Sequence, residues 1–216
     1  MTLTARVLTY HVGEQIIIDG VDLQAHAGRL LAVRGPSGAG KSTLLGLLGG
    51  LLRPETGSVL LDDEPVWPGD ASLRRRFGIV LQGYGLVGAL TGRENVAIPL
   101  QSAGIARADV RQRTAAVLEH VGLSDVADHL TDEMSGGQQQ RVAVARALAA
   151  EPEVLLADEP TAELDAENRK LIVALLVAHA RAGATVVIAS HDADVVAECD
   201  DVLELDAGRV VTGAHH

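Results

Sequence analysis

One cysteine, Cys199, is all the thiol chemistry available in 216 residues. A lone cysteine excludes an internal disulfide and a four-cysteine zinc site. Its neighbours Glu198 and Asp200 are acidic and do not favour a reactive thiolate. Aromatic residues make up 2% of the chain, which leaves little to stack on nucleic-acid bases. A net charge of −11 also opposes nucleic-acid binding, whose affinity comes mainly from Lys and Arg on phosphates. No apolar run approaches the roughly 18 to 20 residues of a membrane-spanning helix; those at 171–178 and 185–189 are far shorter. The opening Met1-Thr2-Leu3-Thr4 lacks the basic stretch and apolar block of a secretory signal. No low-complexity tract or internal repeat is present. Lysine is scarce too: of 18 basic residues only Lys41 and Lys170 are lysine, so Lys41 stands out against an arginine background. His215 and His216 close the chain and receive no function.

What is present is a core. Hydrophobic residues make up 47%, enough for one large domain or two tightly joined subdomains. Apolar patterning predicts strands at 6–10, 15–19, 21–25, 29–34, 58–62 and 77–81, and a helix over 40–52 that Pro54 stops. Residues 95–103 and 108–121 read as helices of an insertion spanning 83–134. Helix, strand, helix and strand follow at 135–150, 154–157, 166–182 and 185–190. Apolar strands alternating with helices predict a parallel sheet covered on both faces. Four of these strands end in polar or glycine-rich groups: Gly35-Pro36-Ser37-Gly38, Gln82, Asp158-Glu159 and Ser190-His191. Ligands of open parallel sheets bind beyond the carboxyl ends of the strands, so strands sharing one sheet would bring the four groups to one crevice.

Gly35-Pro36-Ser37-Gly38-Ala39-Gly40-Lys41-Ser42, followed by Thr43, matches G-x-x-x-x-G-K-[ST] in full. Glycines let backbone N–H groups wrap a phosphate without Cβ clashes. The helix that follows offers free N–H groups and a favourable dipole to an anion. In this pattern Lys41 supplies a charge to the β and γ phosphates and the Ser42 hydroxyl ligates Mg²⁺. Val154-Leu155-Leu156-Ala157-Asp158-Glu159 is the complement, a buried strand delivering two carboxylates. Asp158 suits Mg²⁺, and Glu159 suits a general base acting on water.

Met134-Ser135-Gly136-Gly137-Gln138-Gln139-Gln140-Arg141 resembles the signature of the ABC ATPase family, with Met134 at a position that usually holds leucine. Ser135, Gly136 and Gly137 open the helix ahead of Asp158, so their N–H groups suit a phosphate. The resemblance covers nearly the whole chain. It implies an α/β fold: a P-loop NTPase core with a mostly parallel sheet, an N-terminal antiparallel β subdomain and an inserted helical subdomain. Residues 1–216 then form one ATPase domain, with 1–82 and 135–216 as the nucleotide-binding core and 83–134 as the helical part. The resemblance also implies that Tyr10 stacks on adenine, that Gln82 senses Mg²⁺ and the γ-phosphate, and that His191 hydrogen-bonds the γ-phosphate. Leu164-Asp165, in Thr161-Ala162-Glu163-Leu164-Asp165, matches a family loop in which Glu163 stands out of pattern, and Asp165 also suits a helix N-cap.

The ligands so implied are ATP and Mg²⁺, the metal held by Ser42, Gln82 and Asp158. Two copies would sandwich two nucleotides head to tail, with Ser135, Gly136, Gly137 and Gln138 of one copy reaching the phosphate held by the other. Separate membrane permease subunits are the other partner, which places the chain on the cytoplasmic face of the cell membrane. A soluble family member acting on DNA or ribosomes would carry a coiled-coil insertion, zinc cysteines, tandem domains or a basic face, and the sequence has none of these. A non-catalytic scaffold does not explain why Glu159 and His191 are both kept. Residues 93–100 and the short stretch after the last apolar strand resemble the lipoprotein-release, macrolide-export and cell-division branch, a resemblance that implies no appended regulatory domain. One departure is Gly83-Tyr84-Gly85-Leu86, where relatives carry bulkier residues beside the groove for the membrane partner.

Overall fold

The computed structural model describes residues 1–213; His215 and His216 lie outside the described residues. The chain opens with two long antiparallel strands, β1 (Thr2–Val12) and β2 (Gln15–His26). Sequence patterning predicts three short strands here, and the structure merges the second and third. Gly20 adopts φ 64°, and Leu8 pairs with Val21 while Tyr10 pairs with Ile18. The extra residue on β2 is a bulge, which bends the strand without ending it.

After β3 (Leu30–Arg34) comes α1 (Lys41–Leu48). This helix stops well before Pro54, contrary to expectation, because Gly49 caps it and Gly50 turns left-handed at φ 65°. β4 (Thr56–Leu61) and β5 (Glu64–Pro65) complete a four-stranded antiparallel sheet in the order β2-β1-β4-β5. The short α2 (Ala71–Arg75), capped by the Asp70 side chain, leads into β6 (Phe77–Val80). α3 (Gly92–Ser102) begins ahead of the predicted start because Thr91 and Glu94 form a reciprocal capping box. α4 (Arg107–His120) and two 3₁₀ turns, Ser124–Val126 and Thr131–Glu133, precede α5 (Gly136–Leu148). Then follow β7 (Val154–Asp158), α6 (Ala166–Arg181), β8 (Thr185–Ala189), α7 (Ala193–Ala197), β9 (Asp201–Asp206) and β10 (Arg209–Gly213).

The second sheet has the order β10-β9-β3-β8-β7-β6. β9, β3, β8, β7 and β6 run parallel, and β10 pairs antiparallel at one edge. Side chains alternate between its faces. On β7, Leu155 and Ala157 join the core shared with α3, α4, α5 and α6, while Val154 and Leu156 join the core shared with α1 and the antiparallel sheet. On β8, Val186 and Ile188 take the first side, Val187 and Ala189 the second. Burial on both faces explains the unbroken apolar runs of these strands. The strands β3, β8, β7 and β6, whose ends carry the four polar groups, are consecutive in this sheet.

Candidate functional site

The loop between β3 and α1 is pinched from two sides. A Cβ on Gly35 would lie 2.0 Å from the Leu205 carbonyl oxygen of β9, and one on Gly40 would lie 2.8 Å from the Ile17 carbonyl of β2. Gly40 also has φ 101°, a left-handed value that admits glycine far more readily than other residues. Ala39 is buried between them, and its carbonyl accepts from the Gly208 N–H at 3.1 Å. Pro36, Ser37 and Gly38 are left exposed at the loop's crest. Gly40 ends the loop as the N-cap of α1, so the first N–H groups of that helix, from Lys41, Ser42 and Thr43, point out with no helical partner. Lys41 folds back across the loop: its Nζ donates to the Gly35 carbonyl at 2.9 Å and the Pro36 carbonyl at 3.0 Å. A cation bridging two carbonyls over a ring of free N–H groups is a cradle for a polyphosphate.

β7 delivers its two carboxylates into different surroundings. Asp158 is 6% exposed, and its Oδ1 has no hydrogen-bond partner. Burial pushes its carboxyl above the ordinary value; the Ser42 hydroxyl opposes the shift, the Glu159 charge adds to it, and Lys41 opposes it. A buried, unpartnered carboxylate oxygen beside a serine hydroxyl and a lysine fits a hydrated cation. Among the described residues no three His, Cys, Asp or Glu side chains cluster as a metal cage. Mg²⁺ needs no such cage, because it binds through one or two protein oxygens, water and substrate phosphates.

Glu159 sits one residue beyond β7 with φ 47°, an uncommon value for a residue with a side chain. Its N–H donates to the Ala189 carbonyl at 2.9 Å, which fixes the turn against β8. The turn aims the carboxylate at the end of β8. There Oε1 lies 2.8 Å from His191 Nδ1, and Ser190 Oγ donates to Oε2 at 3.5 Å. Glu159 is 11% exposed in its side chain and His191 73%, so the pair reaches from the protein interior to solvent. Ser190 is fully buried. The sequence marks it only as part of the polar group that ends an apolar strand, and its place directly before His191 is the signal for a role of its own.

Tyr10 is half-buried on β1 opposite Ile18, next to the Ile17 carbonyl that abuts Gly40. Gln82 lies exposed just past β6, which ends at Val80, one residue before the predicted end. The loop behind it explains the departure in the sequence. Gly83, Tyr84 and Gly85 take φ 87°, 67° and 62°, three left-handed residues in succession, and glycine adopts that conformation at no steric cost. Bulkier residues would strain this path.

Ser135 is the N-cap of α5; its side chain accepts from the Gln138 N–H at 3.3 Å, and Gln138 Oε1 accepts from the Ser135 N–H at 2.9 Å. Gly136 and Gly137 give the tip its open surface. A Cβ on Gly137 would lie 2.9 Å from the Glu163 carbonyl, and the nearest neighbour of one on Gly136 is the Tyr84 hydroxyl at 3.2 Å. Asp165 caps α6, accepting from the Asn168 N–H at 2.8 Å. The tip of α5 is not part of the phosphate crevice. α5 packs on α3, α4 and β6, whereas the phosphate loop follows β3, three strands away. At about 4.8 Å per strand that separation is about 14 Å. The structure thus brings together Gly35–Ser42, Asp158, Glu159, Ser190 and His191, and leaves Ser135–Gln138 apart.

A family profile described as ABC transporter matches residues 18–162. The chain is 42% identical over 217 residues to an uncharacterized ABC transporter ATP-binding protein of Mycobacterium tuberculosis, covering 97% of this chain and 66% of that protein. It is 44% identical over 204 residues to the methionine import ATP-binding protein MetN of Brucella abortus, covering 92% of this chain and 55% of the relative. It therefore spans between about half and two thirds of the length of these relatives. Among solved structures, the ATP-binding cassette MJ0796, in a dimeric post-hydrolysis state bound to ADP and Pi, superposes with a TM-score of 0.90 at 34% identity. That match covers 98% of this chain and 97% of the other.

Proposed function

This chain belongs to the ABC transporter family, and from that premise we propose that it is the ATP-binding and ATP-hydrolysing subunit of a transporter. Residues 1–82 and 135–216 act as the nucleotide-binding core, and 83–134 as the helical part that meets the membrane partner. The observation that carries this reading is the convergence of Gly35–Ser42, Asp158-Glu159 and Ser190-His191 at the ends of three adjacent parallel strands.

The N–H groups of Gly38, Gly40, Lys41, Ser42 and Thr43 receive the phosphates, with Pro36, Ser37 and Ala39 shaping the bend and Tyr10 under the base. Lys41 Nζ exchanges the Gly35 and Pro36 carbonyls for phosphate oxygens. Asp158, Ser42 and Gln82 would hold Mg²⁺, which when bound neutralises charge between the β and γ phosphates. Glu159 accepts the proton of the attacking water, and His191 holds that carboxylate through Nδ1 and turns its other ring nitrogen toward the γ-phosphate. Phosphoryl transfer asks little covalent chemistry of the protein, so placement of these groups supplies most of the acceleration.

The tip of α5, on a helix that packs against β6 three strands from β3, leaves that phosphate without its second set of donors in one copy. Ser135, Gly136, Gly137 and Gln138 of a second copy complete it, in a head-to-tail dimer that ATP closes and hydrolysis reopens. The dimeric state of the MJ0796 cassette supports this arrangement. No helix of the described residues is long and apolar enough to cross a membrane. The family resemblance assigns the membrane-spanning part to permease subunits, and this chain works against them at the cytoplasmic face of the membrane. A groove of about 390 Å³ lined by Arg74, Phe77, Ile79, Ile98, Pro99 and Arg146, between α2, β6, α3 and α5, is the seat for that partner.

Glu159→Gln tests the core of the reading. Mg·ATP binding should survive, turnover should fall by about 10²- to 10⁴-fold, and an ATP-dependent dimer should accumulate on gel filtration. Undiminished turnover removes Glu159 from the role of base.

A further inference from the structure

α5 carries an arginine whose charge goes unmatched. Arg146 is half-buried, and among the described residues no carboxylate lies within ion-pair distance of it. Its guanidinium is spent on the backbone instead: Nη1 donates to the Gly85 carbonyl and Nη2 to the Tyr84 carbonyl at 2.9 Å. Burial costs this cation enough to pull its pKa down. Such a site is justified only where the planar fork does something a neutral side chain cannot. It grips two successive carbonyls of the left-handed bend that follows Gln82.

The same bend touches α5 a second time. The Tyr84 hydroxyl is the nearest atom to a Cβ built on Gly136, ahead of Glu163 Oε2 at 3.5 Å. Burial and then the Glu163 charge raise the Tyr84 pKa, as expected of a phenol wedged beside a carboxylate. Held by Arg146 near one end of α5 and by Tyr84 at the other, residues 83–85 lie along the helix as a strap. Their left-handed backbone presents successive carbonyls to the fork, which explains two glycines around one tyrosine.

We propose that Arg146 is a positioning residue that fastens the Gln82 loop to the α5 helix, so that Gln82 and the Ser135–Gln138 tip move as one body. The metal ligand of one site and the phosphate clamp offered to the other site then share a rigid lever. This rests on the proposed role of Gln82 toward Mg²⁺, and it adds the part that places Gln82. Arg146 is not among the groups proposed to hold the nucleotide, and although it also lines the partner groove, in the isolated chain its loss acts through the position of the Gln82 loop.

Arg146→Lys keeps the charge and removes the two-pronged grip; Arg146→Gln removes both. In the full chain, Arg146→Lys should lower kcat for ATP by roughly ten- to a hundredfold while KM for ATP stays within about twofold. The Mg²⁺ concentration for half-maximal rate should rise several-fold, and Arg146→Gln should exceed Arg146→Lys on each count. Amide hydrogen exchange should quicken at residues 82–88 and stay unchanged in β7 and β8. A fall in kcat matched by a fall in Tm, with Mg²⁺ dependence and exchange at 82–88 unmoved, overturns the proposal and leaves Arg146 a packing residue. The exchange arm needs no turnover, so it decides the strap even if the wild-type chain proves inactive, a result that would count against the ATPase reading alone.

Discussion

Replacing Asp158 by Asn should make the nucleotide-free protein more stable and the Mg·ATP-bound protein less so. Asp158 ends β7 buried, with Oδ1 lacking any partner. Burial raises its pKa in the fold, against opposition from Ser42, and the Glu159 charge adds to the shift. An acid whose pKa is raised on folding holds its proton more tightly in the native state than in the unfolded chain. Stability therefore falls as pH rises from the ordinary value of 3.8 through the raised one, and the whole cost is present once pH exceeds the raised value. An unsatisfied buried polar group costs about 1–3 kcal/mol, and more when charged. Asn leaves a neutral group in the same place, so the net gain is the difference, on the order of 1 kcal/mol. In a chain of this size that is about 2–4 °C in Tm. Ligand works the other way. At 100 times Kd a bound nucleotide adds about 2.7 kcal/mol to the wild-type protein, and the variant, lacking the carboxylate for Mg²⁺, should gain much less. Thermal unfolding with and without Mg·ATP reads both effects, and the order of the two Tm values should reverse when Mg·ATP is added. With ATP in EDTA the two proteins should gain equally. A variant that is less stable without nucleotide and gains fully from Mg·ATP would refute the reasoning.

The two glycines of the phosphate loop should respond unequally to alanine. Gly40→Ala combines left-handed strain of about 1–2 kcal/mol with a Cβ 2.8 Å from the Ile17 carbonyl, whereas Gly38→Ala, at φ 80° with nothing within 4 Å, bears the strain alone; urea midpoints should rank wild type, Gly38→Ala, Gly40→Ala in falling order. His179 is held below the ordinary histidine value by burial, against the Pro152 carbonyl 2.8 Å from its Nε2. Below pH 6.5 the unfolded chain takes up this proton first, so the stability owed to neutral His179 is lost as pH falls from 6.5 through the depressed folded value. Urea unfolding between pH 7.5 and 5 should show that slope, and His179→Gln should flatten it.

Much of the candidate site was legible because its parts are short and local. The phosphate loop is contiguous, and its glycines are demanded by backbone approach to Leu205 and Ile17. The strand ends at Asp158-Glu159 and Ser190-His191 read as apolar runs that stop abruptly, since both faces of β7 and β8 are buried. The β9–β10 hairpin was not legible. β9 buries Leu203 and Leu205 and leaves Glu204 and Asp206 on the other face, a half-buried pattern that a search for continuous apolar runs passes over. Fusion of the second and third predicted strands was equally hidden, because Gly20 reads as a breaker in sequence and serves as a bulge in the sheet. The Arg146 grip on Tyr84 and Gly85 joins residues some sixty positions apart through backbone carbonyls, and a carbonyl has no sequence signature.

The protein keeps internal hydrogen bonds where the proposed ligand would bind, and on that proposal these set how ATP would act as a switch. Lys41 is satisfied by the Gly35 and Pro36 carbonyls, and Ser135 by its exchange with Gln138. A phosphate arriving at Lys41 must displace contacts already made, so each new bond counts as an exchange with a small net gain. Among the described residues, Asp158 Oδ1 is a buried side-chain atom of this crevice that waits without a partner, whereas the free N–H groups of the loop crest and α1 are open to solvent. The strongest unspent driving force for occupancy is therefore the relief of that carboxylate by a hydrated cation, while the loop and the α5 tip contribute geometry at little net cost. Such a division suits a motor. On the proposed function, cheap exchanges at Lys41 and Ser135 would let the two surfaces part once the γ-phosphate is cut, because each recovers its own hydrogen bonds as the ligand leaves.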